Sequence, residues 1–80
     1  MITQVLMAGE YVAVTANTGK TYAIQYRGNG ECFFRVGVAT LSNFKEGFRL
    51  ENGDILKLKL TATAYALATK GGSLTIMGVD

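Results

Sequence analysis

The stretch Asn17-Thr18-Gly19-Lys20-Thr21 carries the residue types with which a phosphate-binding loop ends: backbone amides and a lysine ahead of a hydroxyl side chain. Its surroundings argue against that chemistry. The first glycine of G-x-x-x-x-G-K-[ST] would fall at position 14, which is valine. Behind the lysine, Tyr22-Ala23-Ile24-Gln25-Tyr26-Arg27 reads as a strand, not as the helix whose N-terminus holds phosphate. A hairpin turn is the better reading. Six acids (Glu10, Glu31, Glu46, Glu51, Asp54 and Asp80) leave a paired-carboxylate mechanism formally open, but most sit at glycine-rich turns, where charge is ordinarily solvated. The chain has no histidine, which removes every Ser/His/Asp and Cys/His arrangement. Cys32 is the single cysteine, so no intrachain disulfide forms, and without histidine a zinc site lacks both usual ligand types. No basic residue lies nearer to Cys32 in sequence than Arg35, so a buried small apolar residue is expected there, not a reactive thiolate. The expectation is a non-enzyme with no catalytic residue, no metal and no cofactor.

Binding chemistry is the next candidate. Cys32-Phe33-Phe34-Arg35-Val36 behind Gly28-Asn29-Gly30 invites comparison with strands that stack single-stranded bases. Adjacent residues of a strand point to opposite faces, so Phe33 and Phe34 cannot share one platform; one belongs in the core and one at an interface. Lys57, Lys59 and Lys70 could track phosphates, yet lysines on the outer side of strands also guard sheets against edge association. A net charge of +2 spread along the chain argues only weakly for nucleic acid, and solubility explains it as well.

The elements that must position these residues are strands. Ten glycines, nine threonines, no proline and short apolar runs at regular spacing predict an all-β domain. Ala8-Gly9-Glu10, Asn17-Thr18-Gly19-Lys20, Gly28-Asn29-Gly30-Glu31, Glu51-Asn52-Gly53-Asp54 and Lys70-Gly71-Gly72-Ser73 supply turn residues, and Asn52-Gly53 is the strongest hairpin signal. Eight runs lie between them: 2–7, 10–16, 21–27, 32–39, 48–50, 54–61, 63–69 and 73–79. Leu56, Leu58 and Leu60 alternate with Lys57 and Lys59, and Tyr22, Ile24 and Tyr26 alternate with Ala23, Gln25 and Arg27, which gives each strand one buried and one wet face. Alanines at 62, 64, 66 and 68 decide the ambiguous stretch 61–70 for strand, because a helical period would scatter them. The longest connection, 40–47, has Asn43, Glu46 and Gly47 placed to form a single helical turn. The expected fold is a single antiparallel β-sandwich or jelly-roll-like barrel over residues 1–80.

At 80 residues, 49% hydrophobic and 18% charged, the chain has room for one folded domain. A core of that size supplies only ~3–5 kcal/mol, and small scaffolds add disulfides, metals or partner chains. With the first two excluded, oligomerisation or an efficient core remains. No segment approaches the ~18 apolar residues of a membrane helix, and Met1-Ile2-Thr3-Gln4 lacks the basic start of a signal peptide, which predicts a chain made in the cytosol and complete as it stands. Mean hydropathy is positive, high for so small a surface-rich protein, so part of the apolar area is expected to meet another chain. Met1, Ile2, Val5, Met7, Phe44 and Phe48 supply apolar surface outside the best-patterned strands and are the candidate interface, with Met77 also left over.

The order of elements then resembles a known group. Ile24-Gln25-Tyr26, a small-residue turn, Cys32-Phe33-Phe34-Arg35-Val36-Gly37, Gly47-Phe48-Arg49-Leu50-Glu51-Asn52-Gly53-Asp54, Ala64-Tyr65-Ala66-Leu67-Ala68 and Gly71-Gly72-Ser73-Leu74-Thr75-Ile76 follow one another as the strands of small β-sandwich proteins of tailed-phage virions do. The resemblance covers roughly residues 11 to 80, with Tyr26 where many such proteins have asparagine and Asn52-Gly53 in place of proline-glycine. It implies a virion structural protein, assembled in the host bacterial cytoplasm, that decorates or cements the capsid by binding the major capsid protein. Tail, baseplate and head-fibre accessories belong to the same group, although 80 residues leave no length for a fibre shaft. A cement protein clamps shell subunits where they meet, commonly at three-fold positions, so a homotrimer is expected. A small nucleic-acid-binding barrel is the alternative of another class.

Overall fold

Period-2 alternation becomes eight strands in a computed structural model that describes residues 1–37 and 47–79. They are β1 (Ile2–Leu6), β2 (Tyr11–Ala13), β3 (Thr21–Arg27), β4 (Cys32–Val36), β5 (Phe48–Leu50), β6 (Ile55–Lys59), β7 (Ala64–Ala68) and β8 (Gly72–Gly78). Two antiparallel four-stranded sheets result: sheet A in the order β1-β8-β3-β6 and sheet B in the order β2-β7-β4-β5. The expected helical turn at 40–47 falls almost wholly outside the described residues.

The pairing is nested. β1 pairs with β8, β2 with β7, β3 with β6 and β4 with β5, while β3–β8 and β4–β7 contacts join these pairs into the two sheets. This is the jelly-roll order, a long double ribbon rolled so that successive strands, β4 and β5 apart, fall in alternate sheets. Consequently the glycine turns are not hairpins. The turns at 8–10, 17–20, 28–31, 51–54 and 70–71 each carry the chain from one sheet to the other. At Asn52-Gly53 the reversal itself is present, with Gly53 at φ 90° and the Asp54 N–H donating to Glu51 O at 2.9 Å. The flanking strands β5 and β6 nevertheless do not pair. Gly53 N–H instead donates to Tyr26 O and Gly28 N–H to Asn52 Oδ1, so the turn is pinned to the end of β3.

The core lies between the sheets. Tyr22, Ile24 and Tyr26 of β3, Leu74 and Ile76 of β8 and Leu6 of β1 face Cys32 and Phe34 of β4, Leu50 of β5 and Ala64, Ala66 and Ala68 of β7. The three alanines leave the space that the large rings fill, a division of small and large across facing layers that close packing needs. Tyr26 is fully buried, and its hydroxyl donates to Gly71 O at 2.6 Å, tying β3 to the β7–β8 turn. Leu60 is buried as its alternation predicts, whereas Leu56 and Leu58 on the outer strand β6 are half-buried.

Cys32 is fully buried, and removal from water pushes its thiol up to about 12 from an ordinary 9.0. An alkylating reagent at pH 8 is therefore expected to leave the folded protein unmodified and to label it completely in urea, as read by intact mass. Labelling of the native protein at the rate of a free thiol would contradict this burial. Because the folded pKa is the higher one, the unfolded chain loses this proton first. The contribution to stability is whole below pH 9.0 and is lost as pH rises from there toward 12.

Candidate functional site

β1 is an edge strand, hydrogen-bonded to β8 on one side only. Its register with β8 sets Ile2 opposite Ile76, Gln4 opposite Leu74 and Leu6 opposite Gly72, so these alternate residues point toward the core side. Thr3 and Val5, opposite Thr75 and Ser73, point outward. Gln4 closes the gap to the other sheet: its Nε2 donates to Ala13 O at 2.9 Å and its Oε1 accepts from Thr15 N–H at 2.8 Å. The glutamine thereby takes up two backbone groups at the end of β2 and holds the two sheet edges together.

The outer face of sheet A follows from the same registers. Thr3 and Val5 of β1 continue into Thr75, Ser73 and Met77 of β8, then into Gln25 and Ala23 of β3, all of them uncharged. Charge begins beyond them, with Arg27 at one end of β3 and Lys57 and Lys59 on β6. Val5 is 72% exposed and Met1 85%, with Met7, Met77 and Val79 also exposed. Four of the six candidate interface residues (Met1, Ile2, Val5 and Met7) thus lie on or beside one strand, flanking a neutral sheet face.

Phe48 does not join them. It sits on β5, the edge strand of sheet B, opposite Phe34, and is 53% exposed. Since Gln4 places β1 over β2, β5 belongs to the other side of the sandwich, next to β6. The candidate interface is therefore divided between opposite edges. Phe44 lies outside the described residues. Sequence reasoning missed two exposed apolar residues, Ile55 on β6 and Val79 after β8. Carried back from Lys57 and Lys59, the alternation puts Ile55 on the wet face; only strand placement shows that it lies at the far margin and that Val79 lies beside the face carrying Met77.

Phe33 and Phe34 separate as their adjacency requires. Phe34 is in the core, while Phe33 lies on the outer face of sheet B between Leu67 and Arg49. Phe33 is itself buried, as is Leu67 opposite it, so it is not an open interface residue. Tyr11 and Tyr65 stack there with ring centroids 5.2 Å apart. Burial and the neighbouring Tyr65 raise the Tyr11 hydroxyl above its ordinary pKa, against an opposing pull from Arg35, and its oxygen has no hydrogen-bond partner among the described residues.

One group of charged side chains meets at an end of the sandwich. Arg49 contacts Glu31 at 3.1 Å and Glu51 at 3.0 Å beside a cleft of about 420 Å³ lined by the turns at 28–31, 51–52 and 69–70. Two of the six acids are thus brought together, but as partners of one guanidinium. Asp54 is used locally, its Oδ2 accepting from Glu51 N–H at 2.8 Å. The Asn17–Lys20 segment is the turn between β2 and β3, with Gly19 N–H donating to Leu60 O and strand β3 behind it. Among the described residues no group of three or more His, Cys, Asp or Glu is placed to hold a metal ion, and no helix is long and apolar enough to cross a membrane. No protein-family model, no curated protein and no solved structure matches the chain.

Proposed function

We propose that this chain is a non-enzymatic structural protein of a tailed-phage virion, which self-associates and decorates or cements the capsid by binding the major capsid protein. The resemblance in strand order supplies the virion setting. The observation that carries the binding role is the uncharged outer face of sheet A with its exposed Met1, Val5 and Met77. Its homo-oligomer is the trimer that the resemblance implies. A three-fold ring needs two different surfaces to meet, and the exposed Phe48 on the β5 edge and the exposed Met77 on the outer face of sheet A supply two. Function would rest on avidity: several modest contacts made at once by one oligomer tie neighbouring shell subunits against outward pressure.

Adding the protein to bare capsids is expected to raise their melting temperature; an unchanged temperature without co-sedimentation defeats the proposal. A tail, baseplate or head-fibre position is distinguished by where labelled protein appears on particles in the electron microscope. The nucleic-acid reading has the Tyr11, Tyr65 and Arg49 face of sheet B in its favour. That face supports it less well, because the two tyrosines stack on each other and Arg49 already holds two glutamates.

A further inference from the structure

A sheet edge exposes the backbone N–H and C=O groups of alternate residues, and proteins guard such edges with charge, proline, short length or a cover. The four edges of this sandwich differ sharply in that respect. β2 has three residues, and Gln4 occupies the Ala13 carbonyl and the Thr15 N–H beside it. β5 has three residues and carries Arg49 with its two glutamate partners. β6 has five residues, of which Lys57 and Lys59 are exposed on the outer face. β1 also has five residues but carries no charge, and no side chain from Met1 to Gly9 is charged. The chain has no proline to guard it either.

We propose that β1 is a self-association site, at which β1 of a second copy of this chain pairs antiparallel with it about a two-fold axis. The occupant follows from the enumeration. Two of the other three edges are short, and two of the three carry cations; the long, unguarded edge of this chain is β1 alone, and only a two-fold contact brings β1 to β1. Pairing along the whole strand places Gln4 on the axis and Thr3 beside the partner's Val5 on the outer face. The Gln4 side chain is already bonded to β2, so nothing polar is stranded there. Lys57 and Lys59 stand three strands away in each copy, so no like charges meet. The two A sheets merge into one of eight strands, and their neutral outer faces become continuous. This goes beyond the virion reading and depends on neither the shell nor the trimer.

The test is the native mass of the full chain by sedimentation equilibrium at several concentrations, with circular dichroism to confirm folding. Two copies of 8.6 kDa are expected, or six where a three-fold contact operates as well. Val5→Lys restores the missing guard at an exposed position and is expected to halve the mass. Thr3→Lys, on the same outer face, is expected to do the same and serves if the first variant folds poorly. Ile55→Lys, at an equally open apolar position (64% exposed) on the opposite edge, is expected to change nothing. A mass of three copies unaffected by Val5→Lys would overturn β1 pairing and leave the trimer standing. A monomer at all concentrations would overturn both, and a halving by Ile55→Lys would show association through the other edge and overturn the β1 assignment.

Discussion

Phe34→Ala is expected to lower stability by ~3–5 kcal/mol, the range for deleting a fully buried aromatic ring. Phe34 is completely buried on β4, with Ala66 opposite it on β7 and Phe48 opposite it on β5. Its β7 neighbours on the core side are alanines, whose backbones are fixed in the ladder, so little nearby can move in to fill the space. A domain of this length has a total stability of roughly 4–12 kcal/mol at ~0.05–0.15 kcal/mol per residue, so one substitution removes a large share of it. With a urea slope of about 1 kcal/mol per molar, the unfolding midpoint is expected to fall by roughly 3 M, or the protein to be unfolded in buffer. Phe48→Ala is the comparison: at 53% exposure it should cost below ~1 kcal/mol in the monomer. Equal losses at the two positions would mean that Phe34 is not the ring around which the sheets pack.

Gly72→Ala is expected to be nearly as damaging, through the backbone instead of a cavity. Gly72 has φ 135°, a region open to glycine and costly for other residues, and a methyl there would land on the Arg27 carbonyl oxygen and against the Tyr26 ring. Neither neighbour can retreat. Arg27 is paired to Ser73 in the β3–β8 ladder, and the Tyr26 hydroxyl is held by Gly71 O. Strain of ~1–3 kcal/mol plus overpacking of ~1–3 kcal/mol gives a loss of about 2–6 kcal/mol. At about 4–8 °C per kcal/mol for a domain of this size, the melting temperature should drop by at least ~8 °C. Gly53→Ala isolates the conformational part, since Gly53 has φ 90° with open space around it. A Gly72→Ala loss no larger than that of Gly53→Ala would show that the close approach to Arg27 is not what this position demands.

What was legible in the chain was face and run, and what was not was partnership. Alternation at Leu56 to Leu60 and at Tyr22 to Arg27 identified the buried faces, and the alanines of 64–68 settled a strand against their own helical propensity. Period 2 says which side of a strand is wet; it does not say which other strand lies alongside. Asn52-Gly53 illustrates the gap. The residues dictate a reversal with positive φ, but whether the chain returns in the same sheet or steps across to the other is decided by core packing far away in sequence. The candidate site suffered the same loss. The apolar character of Met1 to Met7 was plain, yet its continuity with Thr75 and Met77 depends on pairing the first strand with the last, and the placement of Phe48 on the far edge depends on sheet order. Adjacency separates Phe33 from Phe34 without saying which of them is in the core, and the stack of Tyr11 and Tyr65 on the Phe33 face, brought together from β2 and β7, could not be read from either segment separately.

The nested pairing also sets a timetable for biosynthesis. Among the described residues β4 and β5 are the only paired strands that follow one another, and each further pair encloses the last, with β1 and β8 outermost. β1 is therefore synthesised well before the strand that will hold it, and it waits as an uncharged segment while every inner pair is translated. Chains with such long-range pairing fold slowly and expose sticky strands meanwhile. The segment best suited to join two finished copies is also the one left unpaired for longest during translation, so ribosome-associated chaperones, high expression and slow elongation should bear on the yield of this protein more than its final stability does.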